Sequence, residues 1–156
     1  VCGHSGCGAM QALLASGAEP GAQTPLARWL RHGWPSLVRM ARGAQDPPVG
    51  TPGTPGTGGE AALADRPVAD DQERLSLVNV MQQLDHLTSH PCVSRRVAEG
   101  RLQLQGMYFH VGEAQAYMLD RASGIFAAVR PDPAPPASPA PSGGDGPGTY
   151  GLTTKV

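Results

Sequence analysis

His4 and Cys7 stand three residues apart in the opening stretch Val1-Cys2-Gly3-His4-Ser5-Gly6-Cys7-Gly8-Ala9-Met10. The stretch begins apolar, passes through a turn of small residues and runs into the helix-forming Met10-Gln11-Ala12-Leu13-Leu14. An imidazole and a thiolate carried on one turn at the end of a strand can both point at a single cation. Zinc takes nitrogen and sulfur ligands in a tetrahedron at roughly 2.0 to 2.3 Å, and a catalytic site needs three protein ligands plus an open position for water. The sequence displays two of these ligands. By themselves they also fit a buried cysteine beside a hydrogen-bonded histidine.

The elements that must position this pair can be read from periodicity. A helix is expected from Ala9 to Ala15, ending near Ser16-Gly17. Cys7 and Gly8 would then lie at a helix N-terminus, where free N–H groups favour a thiolate and any bound anion. A second helix opens with Thr24 as cap and Pro25 in its first turn. Its apolar stripe of Leu26, Trp29 and Leu30 resumes as Leu37, Val38 and Met40 beyond a break at Gly33-Trp34-Pro35. Trp29 and Trp34 could stack on a ligand, but stripe spacing assigns Trp29 to the core. His32 reads as solvated.

A third helix begins where Asp70 caps and Glu73 takes the capping-box position. Leu77, Val80, Met81, Leu84 and Leu87 follow at helical spacing, with Asn79 beside the stripe and without assigned chemistry. This helix should end around His86 to His90, and Pro91 should start a short helical turn that closes at Gly100. From Arg101 the period changes to two: Leu102, Leu104, Gly106 and Tyr108 face one way, and Gln103, Gln105, Met107, Phe109 and Val111 the other. Apolar residues on both faces toward its end suit a strand covered on two sides. Ala114 to Leu119 and Ile125 to Val129 then form a hairpin around Asp120-Arg121-Ala122-Ser123-Gly124. Tyr108 and His110 could form a proton relay, although alternation alone explains Tyr108. Helices alternating with strands indicate an α/β fold.

The chain has 156 residues, one domain's worth, with a formal net charge of -1. That balance gives nucleic acid nothing to bind. Three cysteines make no disulfide framework and suit a reducing compartment. No apolar run approaches a membrane span. Of the 21 Gly and 16 Pro, nine Gly and twelve Pro fall in two places, residues 44–69 and 131–149. Neither stretch can bury enough apolar area to offset an ordering cost of about 1 to 2 kcal/mol per backbone residue, so a disordered insertion and a disordered tail at 131–156 are expected. Domain-forming residues would then lie within 1–130, and Val1-Cys2 reads as the end of a buried strand.

The motif Cys2-Gly3-His4-Ser5-Gly6-Cys7-Gly8-Ala9-Met10, between a strand and a helix, resembles the second zinc motif of the β-class carbonic anhydrases. The likeness continues through Asn79-Val80, His90-Pro91-Cys92-Val93 and Leu102-Gln103-Leu104-Gln105-Gly106-Met107-Tyr108-Phe109 to the final hairpin. It implies a mostly parallel sheet flanked by helices, with the last strands at an edge and the N-terminal strands missing. It also implies reversible hydration of carbon dioxide to bicarbonate and a proton by zinc-bound hydroxide. His4 and Cys7 would be zinc ligands, Ser5 and Gly6 would keep the turn tight, and Gly8 and Ala9 would present backbone to the substrate.

In that family the third protein ligand and an Asp–Arg pair come from a Cys-x-Asp-x-Arg turn, which nothing in this chain matches. Cys92, with His86 and His90, lies at the far end of a helix and is not expected to substitute. The resemblance therefore implies the C-terminal portion of a cytoplasmic enzyme, poorly folded and weakly active or inactive alone, and homodimeric or larger when intact. An alternative is a noncatalytic or regulatory domain attached to a membrane anion transporter, suggested by the wording of Trp29-Leu30-Arg31-His32-Gly33 and of Met107 to Ala114.

Overall fold

A computed structural model describes residues 1–16, 24–43 and 61–130. Five strands form one sheet: β1 (Cys2–His4), β2 (Ala62–Leu63), β3 (Met107–His110), β4 (Gln115–Asp120) and β5 (Ile125–Ala128). Their order across the sheet is β1-β3-β4-β5-β2. β1 runs parallel to β3 and β2 parallel to β5, whereas β3–β4 and β4–β5 are antiparallel. The sheet is therefore mixed, half of its pairings coming from the meander that carries the expected hairpin. That hairpin is not at the edge. β2 covers β5, with the Ala64 amide donating to the Phe126 carbonyl at 2.9 Å.

Residues 61–69, which composition groups with the insertion, belong to the fold. Ala61 and Leu63 are buried in the main core. Two apolar side chains and one parallel strand pair suffice to order a segment that only its Gly- and Pro-rich neighbours make read as loop. Residues 44–60 and the tail at 131–156 lie outside the described residues.

The helices are α1 (Gly8–Ser16), α2 (Pro25–Leu30), α3 (Trp34–Gly43), α4 (Asp71–Ser89) and α5 (Pro91–Ala98), with a 3-10 turn at Arg31–Gly33 between α2 and α3. α4 organises them. Asp70 caps it by accepting from the Glu73 amide at 2.7 Å. Leu77, Val80 and Leu84 pack on the sheet against Tyr108, Tyr117, Leu119 and Phe126, while Leu75 joins Met10 and Leu13 of α1 in a second cluster. α4 is thus buried on two sides, which a single stripe does not anticipate. The opposite face of the sheet, with Met107, Phe109 and Met118, is only half-buried, so the strand expected to be covered on both sides is fully covered on one. β3 is also shorter than its alternation: its ladder starts at Met107, opposite Cys2 and Met118, and before it Gly106 contributes a carbonyl that accepts from the Leu119 amide.

The assignment of Trp29 to the core is overturned. Leu26 and Trp29 are 60% and 59% exposed, and no residue of α2 is buried. Thr24 caps this helix as expected, accepting from the Ala27 amide at 3.1 Å. Its six residues, however, end in the 3-10 turn before the stripe can reach the core, and Leu37 and Met40 of α3 pack there instead.

β1 lies close on α4. A Cβ at Gly3 would stand 2.8 Å from Val80 Cγ2 and 3.2 Å from the Ser76 carbonyl oxygen. Gly3→Ala should therefore destabilise the fold by about 1 to 3 kcal/mol through overpacking. The urea midpoint would read this directly, and an unchanged midpoint would mean that β1 can lift off α4 without cost.

Candidate metal centre

The turn between β1 and α1 carries both expected ligands. His4 is the last residue of β1 and pairs in register with Phe109. Gly6 takes φ +64°, a left-handed conformation that a side chain would strain. Cys7 immediately precedes α1, and its carbonyl accepts from the Gln11 amide at 3.0 Å. His4 is exposed and Cys7 half-buried.

The His4 ring has a fixed polarity. Its Nδ1 lies 2.9 Å from the Ser5 carbonyl oxygen. A carbonyl can only accept, so Nδ1 donates and the neutral ring keeps its lone pair on Nε2, the arrangement common for metal-binding histidines. Gly8 opens α1, and nothing lies within 4 Å of where a Cβ would stand. Ala9 lines a cavity of about 240 Å³ with Met10, Trp29, Leu30, Gly33 and Asn79. Asn79, beside the α4 stripe, accepts from the Ser36 hydroxyl at 3.0 Å and from the Gln83 amide at 3.1 Å.

Among the described residues, no three His, Cys, Asp or Glu side chains gather where one ion could bind. Cys92 sits in α5, exposed and remote in sequence from the turn, and His86 bonds to Gln82 at 2.9 Å. His110 Nδ1 accepts from the Glu113 amide at 3.1 Å. Its ring meets Tyr108 edge-on at 6.5 Å between centroids, and the Tyr108 hydroxyl is given to Glu73.

The sequence reading missed a buried ion pair behind the turn. Glu73, 6% exposed, reaches back to the Ala69 amide, one residue before the Asp70 cap. Its carboxylate accepts from Arg66 Nη1 at 2.8 Å and Nη2 at 2.6 Å, from the Ala69 amide at 2.8 Å and from the Tyr108 hydroxyl at 2.8 Å. Burial alone would raise this carboxyl, but Arg66, the Ala69 amide and Tyr108 together hold it down at about 2. Burial and the neighbouring Glu73 push the Tyr108 hydroxyl up, so it stays protonated. Arg66 also lies over the Tyr117 ring at 5.9 Å. The signal was available: Glu73 falls on the stripe of Leu77, Val80 and Leu84, where a charge must find a partner.

Comparison with known proteins agrees with the fold. A family model described as carbonic anhydrase matches residues 1–116. The chain is 34% identical over 134 residues to a carbonic anhydrase of Pseudomonas aeruginosa, covering 85% of this chain and 51% of that protein. To beta carbonic anhydrase 1 of Caenorhabditis elegans it is 26% identical over 137 residues, 83% of this chain and 51% of that protein. The solved structure of the beta-carbonic anhydrase CcaA shares the fold at a TM-score of 0.60 and 22% identity, over 85% of this chain and 51% of that one. The chain therefore spans about half the length of the curated relatives it matches. Within that span the family model takes in the His4–Cys7 turn, α4 and the start of β4, and the chain belongs to the β class of the carbonic anhydrase family.

Proposed function

We propose that the chain contributes two ligands, His4 and Cys7, to a zinc centre that hydrates carbon dioxide reversibly, with the third ligand supplied from outside the described residues. The observation that carries this reading is the polarity of the His4 ring: Nδ1 is committed to the Ser5 carbonyl, which leaves Nε2 as a lone-pair donor on the same turn as the Cys7 thiol. Imidazole nitrogen and thiolate sulfur are the donors zinc prefers. Two donors are half of a tetrahedron, and a catalytic centre takes three from protein.

Zinc in such a site would supply Lewis-acid activation of water, lowering its pKa to about 7 for addition to the carbon of carbon dioxide. The chain's own residues orient the site. His4 is presented with Nδ1 bonded to the Ser5 carbonyl and Nε2 left for the metal. Gly6 reverses the backbone so that Cys7 follows within three residues. The open space over Gly8, at the start of α1, lets a bicarbonate-sized anion approach backbone N–H groups that have no intrahelical partner. Free thiols at Cys2, Cys7 and Cys92 are compatible with a reducing compartment, and no helix among the described residues is long and apolar enough to cross a membrane.

Stopped-flow hydration with added zinc tests this on the chain as given and on a version joined to the half of the relatives it does not match. The longer protein should hydrate carbon dioxide and the chain alone should show no appreciable rate. Full activity in the short chain would place the third ligand within it. Inactivity of both, with zinc bound, would favour the noncatalytic regulatory reading.

A further inference from the structure

Two neighbouring side chains at the start of α4 hold the ligand turn at separate points. Gln72 Nε2 donates to the Cys7 carbonyl at 3.0 Å. Glu73 accepts from the Tyr108 hydroxyl at 2.8 Å, and Tyr108 sits in β3, whose neighbouring residues grip Ser5. The Ser5 amide donates to the Phe109 carbonyl at 3.0 Å, and the Val111 amide donates to Ser5 Oγ at 2.8 Å. We infer that the first turn of α4 is the positioning device of the His4–Cys7 pair, Gln72 holding Cys7 directly and Glu73 holding Ser5 through Tyr108 and β3. The inference rests on the reading of His4 and Cys7 as ligands.

The direction of every hydrogen bond in this relay is fixed from its buried end. Glu73 is a carboxylate that faces Arg66 in a two-pronged contact, so it can only accept. The Tyr108 hydroxyl, fully buried, must therefore give its one proton to Glu73 and keeps only acceptor capacity. Ser5 Oγ accepts from the Val111 amide. Tyr108 cannot turn away without leaving its own buried hydroxyl unpaired, which costs more than the bond itself contributes. The Asp70 cap sets where α4 begins, and hence where Gln72 and Glu73 stand.

This predicts that Tyr108 and Gln72 act on metal geometry without touching the metal. Tyr108→Phe removes one hydroxyl and keeps the ring in its packing, leaving Glu73 paired with Arg66. Cobalt(II) added to the chain should give a thiolate-to-cobalt charge-transfer band. Tyr108→Phe and Gln72→Ala should each weaken cobalt binding by about tenfold, the loss expected for one outer partner of a ligand, and together by about 100-fold if the two holds are independent. Amide hydrogen exchange at Ser5 and Val111 in the metal-free chain should speed up by about tenfold in Tyr108→Phe. Thr88→Ala, which loses a hydroxyl bond to the Leu84 carbonyl near the far end of α4, should leave cobalt affinity unchanged and serves as the control for a purely structural effect.

Unchanged cobalt affinity and unchanged Ser5 and Val111 exchange in Tyr108→Phe would overturn the inference while leaving the ligand assignment intact. A wild-type cobalt band that survives His4→Ala and Cys7→Ala would instead remove the ligand assignment, and the positioning role with it.

Discussion

Replacing Glu73 with alanine should cost the fold about 3 to 5 kcal/mol, the range seen when one partner of a buried ion pair is removed. Domains of this size have about 5 to 15 kcal/mol in total, so much of the variant should be unfolded under mild denaturant. The loss is large because four donors depend on one carboxylate: two Arg66 nitrogens, the Ala69 amide and the Tyr108 hydroxyl. Truncation takes from all four the acceptor they share, leaving Arg66 Nη1 only the Pro67 carbonyl. Glu99→Ala provides the contrast. Glu99 is 42% exposed and meets Arg101 at 3.4 Å, and such surface pairs contribute about 0 to 1 kcal/mol. Urea unfolding followed by circular dichroism would compare them, and a Glu73→Ala shift no larger than that of Glu99→Ala would mean that Arg66 finds another partner at little cost.

Acid should reproduce part of this loss. The folded-state Glu73 carboxyl is depressed to about 2 from its ordinary 4.5. A depressed carboxyl stabilises the fold fully above the unfolded value, and the contribution is lost as pH falls from about 4.5 toward 2. At about 1.4 kcal/mol per pH unit, the loss approaches about 3 kcal/mol across that window. Unfolding midpoints at pH 7, 4.5 and 3 should fall accordingly, and Glu73→Gln should flatten the slope between the last two. An equally steep slope in Glu73→Gln would assign the acid sensitivity to other carboxylates.

The contrast between what the chain discloses and what it conceals follows from how far each interaction reaches. Asp70, Thr24 and the Pro91 start of α5 are local signals, satisfied within a turn, and each appears where the sequence places it. The His4–Cys7 spacing is also local, so the turn was legible. Arg66 and Glu73 are seven residues apart and Tyr108 lies 35 residues beyond Glu73. Only the fold joins them, and the single hint is a carboxylate on an apolar stripe. Composition misled at residues 61–69, because Ala61, Leu63 and Arg66 carry the order while their Gly- and Pro-rich neighbours set the average. Trp29 misled in the opposite sense: spacing says which residues share a helix face, not whether a six-residue helix delivers that face to a core. The edge of the sheet was hidden for the same reason, since β2 has two residues and no periodicity to read.

Cys7→Ala should lower zinc affinity by more than about 100-fold, beyond the 10- to 100-fold typical of outer-shell partners, and hydration by the longer protein should fall with it. The competing thiols make the experiment discriminating. Cys2 lies on the same face of β1 as His4, two residues away, and is exposed, with Sγ donating to the Gly3 carbonyl at 3.3 Å. A strand spaces alternate residues by about 6.6 to 6.8 Å, or twice the rise per residue. His4 and Cys2 therefore splay along β1, whereas the left-handed Gly6 folds the chain back between His4 and Cys7. Cys92 is carried by α5, away from the turn. Cys2→Ala and Cys92→Ala should thus retain one zinc per chain after dialysis against a weak chelator, and Cys7→Ala should lose it. Retention in Cys7→Ala with loss in Cys2→Ala would move the sulfur ligand onto β1 and leave Gly6 without a role at the metal.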